Sequence, residues 1–135
     1  MAETQLIREV ILSAAKVGAR LFRQNTGMGW VGKLIGKVRN GRAVLEDARP
    51  FHAGLCTGSS DSLGWAPVVI TPEMVGRTVA VFTAVEIKTG KVPVTKEQKA
   101  FLNAVRSQGG IAILYREGDP VSVGDQIERW SPPAG

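Results

Sequence analysis

Residues 77–88, RTVAVFTAVEIK, run without glycine or proline and carry no charge between Arg77 and Glu86. The two alternating sets are Val79, Val81, Thr83, Val85 and Ile87 against Ala80, Phe82, Ala84, Glu86 and Lys88. Both are mainly apolar, the pattern of a central strand covered on its two faces. Such a strand needs neighbours, and the following residues supply them. Thr95 to about Gln108 repeats at helical spacing with Phe101, Leu102 and Val105 inward, Gly109-Gly110 stops it, and Ile111–Tyr115 predicts a further strand. Strand, helix, strand implies local parallel pairing, so the fold class is α/β. At 135 residues the chain can bury one core, and a single domain over residues 1–135 is expected.

Ahead of this unit, Leu6, Ile7, Val10, Ile11, Ala14 and Val17 recur on one face of a helix over 3 to about 18, ended by Gly18. Residues 19–23 read as a short strand leading into the loop Gln24-Asn25-Thr26-Gly27. Residues 27–43 hold five glycines among bases, with Asn40-Gly41 as a tight turn, and predict an irregular or hairpin segment. A strand over Trp65–Ile70 closes at Thr71-Pro72, a short helix is expected after Asp119, and residues 131–135 should fray. No apolar run is long enough for a membrane span and no secretory signal is recognisable at the start, so a cytoplasmic protein is expected, in a bacterial or phage-infected host cell, with no membrane partner.

Charge is unevenly spread. Residues 1–50 hold nine bases against four acids, whereas residues 51–135 hold eight of each. No acid lies between Glu9 and Glu46, where seven bases occur. One stretch of surface therefore carries a positive field suited to a polyanion, or is simply a solvated basic face. With one cysteine, Cys56, and one histidine, His52, a zinc cage is excluded and any metal must be held mostly by oxygen.

Gly27-Met28-Gly29-Trp30-Val31-Gly32 matches a dinucleotide-binding pattern, but no helix-forming segment follows to hold a pyrophosphate. No nucleotide cofactor is expected. Glu86 and Lys88 are a different matter, because residues two apart on a strand project to the same side while Ile87 anchors the other. An acid such as Asp61 delivered beside them would make a carboxylate pair for Mg²⁺ or Mn²⁺; otherwise the two close a strand end as an ion pair. Thr95 and Gln98 fit a capping box, yet Gln98 also lies on the inward helix face near the charged pair. Glu3 either adds an oxygen at the end of an apolar stripe or sits in a solvated first turn.

The series Glu3, Arg23-Gln-Asn25-Thr-Gly27, Gly58-Ser-Ser-Asp61, Glu86-Ile-Lys88 and Gln98 resembles the VRR-NUC branch of the PD-(D/E)xK nuclease superfamily, in its small stand-alone phage or bacterial form. The resemblance implies a restriction-endonuclease-like core, a central mixed β-sheet flanked by helices. It implies that Asp61, Glu86 and the Ile87 carbonyl bind the divalent metal, with Glu3 completing its surroundings. Lys88 would position the attacking water and stabilise phosphorane charge, and Gln98 would orient Lys88 or the water. Arg23 and Asn25 would touch the scissile strand. The acid-free run of bases itself makes the segment bearing Lys33, Lys37, Arg39 and Arg42 the candidate DNA-tracking surface. The activity so implied is metal-dependent hydrolysis of DNA phosphodiesters, structure-selective and similar to Holliday-junction resolution, by a homodimer. A flap, end-processing or nicking nuclease and an inactive DNA-binding module are the alternatives.

Overall fold

The structure, a computed structural model, describes residues 2–134. The described residues form a mixed α/β fold of three α-helices and six strands, the strands paired in three two-stranded sheets. The chain divides into two compact units, the first ending at Trp65 and the second beginning at Ala66.

In the first unit, helix α1 (Glu3–Lys16) ends two residues before Gly18, whose φ of 82° the absence of a Cβ allows. None of its residues is buried. Strand β1 (Arg20–Arg23) pairs antiparallel with β4 (Ser62–Trp65). Phe22 and Trp65 meet at 5.4 Å between ring centroids, and the Arg20 guanidinium lies over both rings. A Cβ on Gly64 would overlap the Arg20 carbonyl, so close approach of the two backbones requires glycine there.

Between these strands lies a long hairpin, β2 (Gly27–Arg39) and β3 (Arg42–Ala53), turning at Asn40-Gly41 with φ of 51° and 71°. Positive φ at both turn residues matches the right-handed strand twist, which makes Asn-Gly a hairpin turn. The glycine-rich segment is thus a regular strand, and GMGWVG lies within it. Asp47, at φ 53°, makes a bulge opposite Gly32, where a Cβ would stand 2.7 Å from the Glu46 carbonyl oxygen. Trp30 is 59% exposed.

The second unit holds a 3-10 turn (Pro72–Met74) and the β-α-β element: β5 (Thr83–Lys88), α2 (Lys96–Ser107) and β6 (Ile111–Arg116), with β5 and β6 parallel. Helix α3 (Val123–Glu128) follows, capped by Ser122. Leu102, Val105, Ile111 and Ile113 form the buried core.

Two strands are shorter than their composition suggests, for one reason: a strand extends only as far as a partner offers hydrogen bonds. Thr83 pairs with Ile111, where β6 begins, so residues 77–82 are not strand. Likewise the strand expected over residues 65–70 lies instead at 62–65, opposite the four residues of β1, and residues 66–70, interrupted by Pro67, have no ladder. Nor is β5 central: it pairs with β6 alone, and Ile87 is 67% exposed. Phe101, expected inward, is exposed. Residues 131–134 carry no helix or strand, and residue 135 lies outside the described residues.

Candidate functional site

At the end of β5 the sequence Glu86-Ile-Lys88 puts two charged side chains on one side of the strand. Lys88 is buried, 9% exposed, and its Nζ lies 3.1 Å from Glu86 Oε1. Taking an ammonium out of water costs several kcal/mol unless it is paired, so the carboxylate partner accounts for its tolerance there. The third member arrives from α2. Gln98 Nε2 donates to the same Oε1 at 2.7 Å.

One glutamine side chain thereby has two tasks. Its Oε1 accepts from the Thr95 backbone N–H at 2.9 Å while Thr95 Oγ1 accepts from the Gln98 N–H at 3.1 Å, the reciprocal capping box of α2. Because the cap fixes the glutamine carbonyl oxygen, its amide NH₂ is left directed at Glu86. The contacts from Gln98 and Lys88 both fall on Glu86 Oε1, so among the described residues Oε2 has no partner.

The ladder also decides which backbone groups are free. The Phe82 and Lys88 carbonyls accept from Ile111 and Glu117 respectively. Alternation along a parallel ladder turns the Ile87 carbonyl the other way, to the edge of β5 that no strand pairs. A carboxylate oxygen and a carbonyl oxygen are hard donors of the kind Mg²⁺ and Mn²⁺ take, and Mg²⁺ characteristically keeps several waters beside one or two carboxylates. Glu86 and Ile87 offer donors of this type. Among the described residues no three His, Cys, Asp or Glu side chains cluster to hold a metal.

Arg116 is a residue that periodicity did not single out. Its Nη1 donates to the Gly90 and Val92 carbonyls, both at 2.9 Å, and its backbone N–H donates to Asp119 Oδ2 at 2.8 Å. It ties down the loop that leads from Lys88 to the α2 cap.

In the first unit the other expected residues are exposed. Glu3 is in the first turn of α1, where a carboxylate suits the helix dipole. Arg23 ends β1, and Asn25 follows in the loop. Asp61 precedes β4 in a loop organised by Gln24. The Gln24 Nε2 donates to Ser59 Oγ at 2.8 Å and to the Ser60 carbonyl at 3.0 Å; its Oε1 accepts from the Leu55 N–H at 2.9 Å. The Gln24 N–H donates to the Asp61 carbonyl at 2.8 Å. Gln24, between the two residues singled out by motif, is the one that holds Asp61 in place. Lys33, Lys37, Arg39 and Arg42 all lie on the β2–β3 hairpin.

No model of a protein family, no curated protein and no solved structure matches the chain. No helix among the described residues is long and apolar enough to cross a membrane.

Proposed function

We propose that the chain is a divalent-metal-dependent DNA endonuclease with a restriction-endonuclease-like core of the PD-(D/E)xK type. The observation that carries this reading is a buried lysine held 3.1 Å from a glutamate two residues before it, at the exit of a strand, with a glutamine amide on the same carboxylate oxygen. A preorganised cation shielded from water is suited to stabilising the dianionic transition state of phosphodiester hydrolysis.

Glu86 and the Ile87 carbonyl would hold the metal. When bound, the metal would polarise the phosphoryl oxygen and lower the pKa of a bound water. Lys88 would supply positive charge to the phosphorane and orient the attacking water. Gln98 would keep Glu86 Oε1 engaged so that Oε2 stays directed at its ligand. A homodimer acting on branched DNA is part of the proposal, supported by the exposed apolar side chains of the hairpin.

The test is cleavage of labelled four-way junction, flap and linear duplex DNA by the wild type and by Glu86→Gln, with Mg²⁺, Mn²⁺ or EDTA. Paired nicks in the junction that need metal and vanish in Glu86→Gln are expected. Binding without cutting of any of the three substrates would overturn the nuclease reading in favour of a DNA-binding module.

A further inference from the structure

The β2–β3 hairpin is a ribbon of two strands that pair with each other and, among the described residues, with no third strand. All residues of β2 but Gly29, and all of β3 but Leu45 and Ala53, are exposed. At about 3.3 Å per residue the ribbon reaches roughly 40 Å. An isolated two-stranded hairpin is marginal in water, so a ribbon this long implies a surface on which it rests.

Its far end is strongly cationic. From Lys33 to Arg42 there are four bases and no acid. Lys33 reaches Glu46 at 4.0 Å, but Lys37, Arg39 and Arg42 have no carboxylate partner among the described residues. Moreover Arg39 and Arg42 are directly opposed across the strands. Like charges at opposed positions destabilise a hairpin, and an anion between them reverses the sign of that interaction. The tight turn at Asn40-Gly41 keeps both arginines at the extreme tip, and β2 has three residues, 36–38, opposite one in β3, with Gly36 at φ 70°. Such a bulge bends the ribbon just behind its charged end.

We propose that this tip lies in the major groove of B-form duplex DNA, with Lys37, Arg39 and Arg42 on the phosphates that border it. Two strands about 4.8 Å apart, with the breadth of their own backbones and side chains added, fit a groove about 12 Å wide and are too broad for a minor groove of about 6 Å. The deep, narrow major groove of A-form RNA excludes the same ribbon. The inference rests on the DNA-binding part of the proposed function and is independent of cleavage.

The experiment is fluorescence anisotropy in EDTA, with a short DNA duplex and an RNA duplex of the same sequence, from about 50 to about 200 mM salt. The wild type should prefer DNA, and methyl green, a major-groove ligand, should displace it where netropsin, a minor-groove ligand, does not. For K37A/R39A/R42A the slope of log affinity against log salt should fall by about 2.7, the loss of three phosphate contacts at about 0.9 each. K37R/R39K/R42K should keep the wild-type slope, and circular dichroism should show both variants folded. An unchanged slope in the alanine variant, RNA bound as tightly as DNA, displacement by netropsin alone, or no DNA binding by the wild type would each overturn the proposal. Cutting of DNA together with an unchanged slope would overturn the ribbon and leave the nuclease reading intact; ribbon-dependent binding with no cutting would do the reverse.

Discussion

Lys88 is the buried charged residue of the second unit. Its ammonium is buried beside Glu86, whose side chain retains 26% of its exposure, so the pair is neither a screened surface contact nor a fully desolvated one. Removing one partner strands the other. Glu86→Gln and Lys88→Met should each destabilise the protein by about 1–3 kcal/mol in urea unfolding, and the double variant should lose at least about 1 kcal/mol less than their sum. Strict additivity would mean that the 3.1 Å contact contributes nothing to folding. The Glu-x-Lys spacing was legible in the sequence, because strand alternation alone puts both residues on one side. That Lys88 would be buried was not legible, since its environment is set by residues distant in the chain.

At the scale of the element, α2 joins helix capping to the site through Gln98. Thr95→Ala removes the N-cap acceptor and should cost about 1 kcal/mol while Gln98 Nε2 can still reach Glu86. Gln98→Ala removes the reciprocal half of the cap and the contact to Glu86 together. We expect similar losses of stability from the two but a lower cutting rate, at unchanged DNA affinity, only for Gln98→Ala; equal rates would reduce Gln98 to a capping residue. In the first unit, Gly64→Ala should force β1 and β4 apart, at a cost of about 1–3 kcal/mol by thermal unfolding, because the added Cβ meets backbone that cannot rotate away. A fully stable Gly64→Ala variant would show that the β1–β4 pairing is dispensable. The capping box and the Asn-Gly turn were readable as local sequence patterns. The extents of β4 and β5 were not, because a strand's length belongs to its partner as much as to itself.

For the whole molecule, the distribution of burial is the governing fact. Leu102, Val105, Ile111 and Ile113 lie in the second unit, and no described residue of the first unit is fully buried. The hairpin leaves Met28, Trp30 and Phe51 more than half exposed. Exposed apolar side chains on both faces of the ribbon, Met28 and Trp30 on one and Phe51 on the other, offer an interaction surface. If a second copy covers it, as the homodimer reading holds, unfolding must depend on mass action: a tenfold rise in protein concentration should raise Tm by about 2–4 °C. A Tm independent of concentration would leave a monomer. By itself the sequence determined the parallel β-α-β unit, the helix ends at Gly18 and Thr95, the hairpin turn and the separation of charge between the two halves. All of these follow from backbone preferences and periodicities a few residues long. Tertiary structure decided which strands pair and over what length, that the glycine-rich segment is a long exposed ribbon, that Gln24 and Arg116 hold the loops around Asp61 and after Lys88, and that Lys88 is buried against Glu86. Those depend on contacts between residues far apart in the chain, whose free energies no local pattern records.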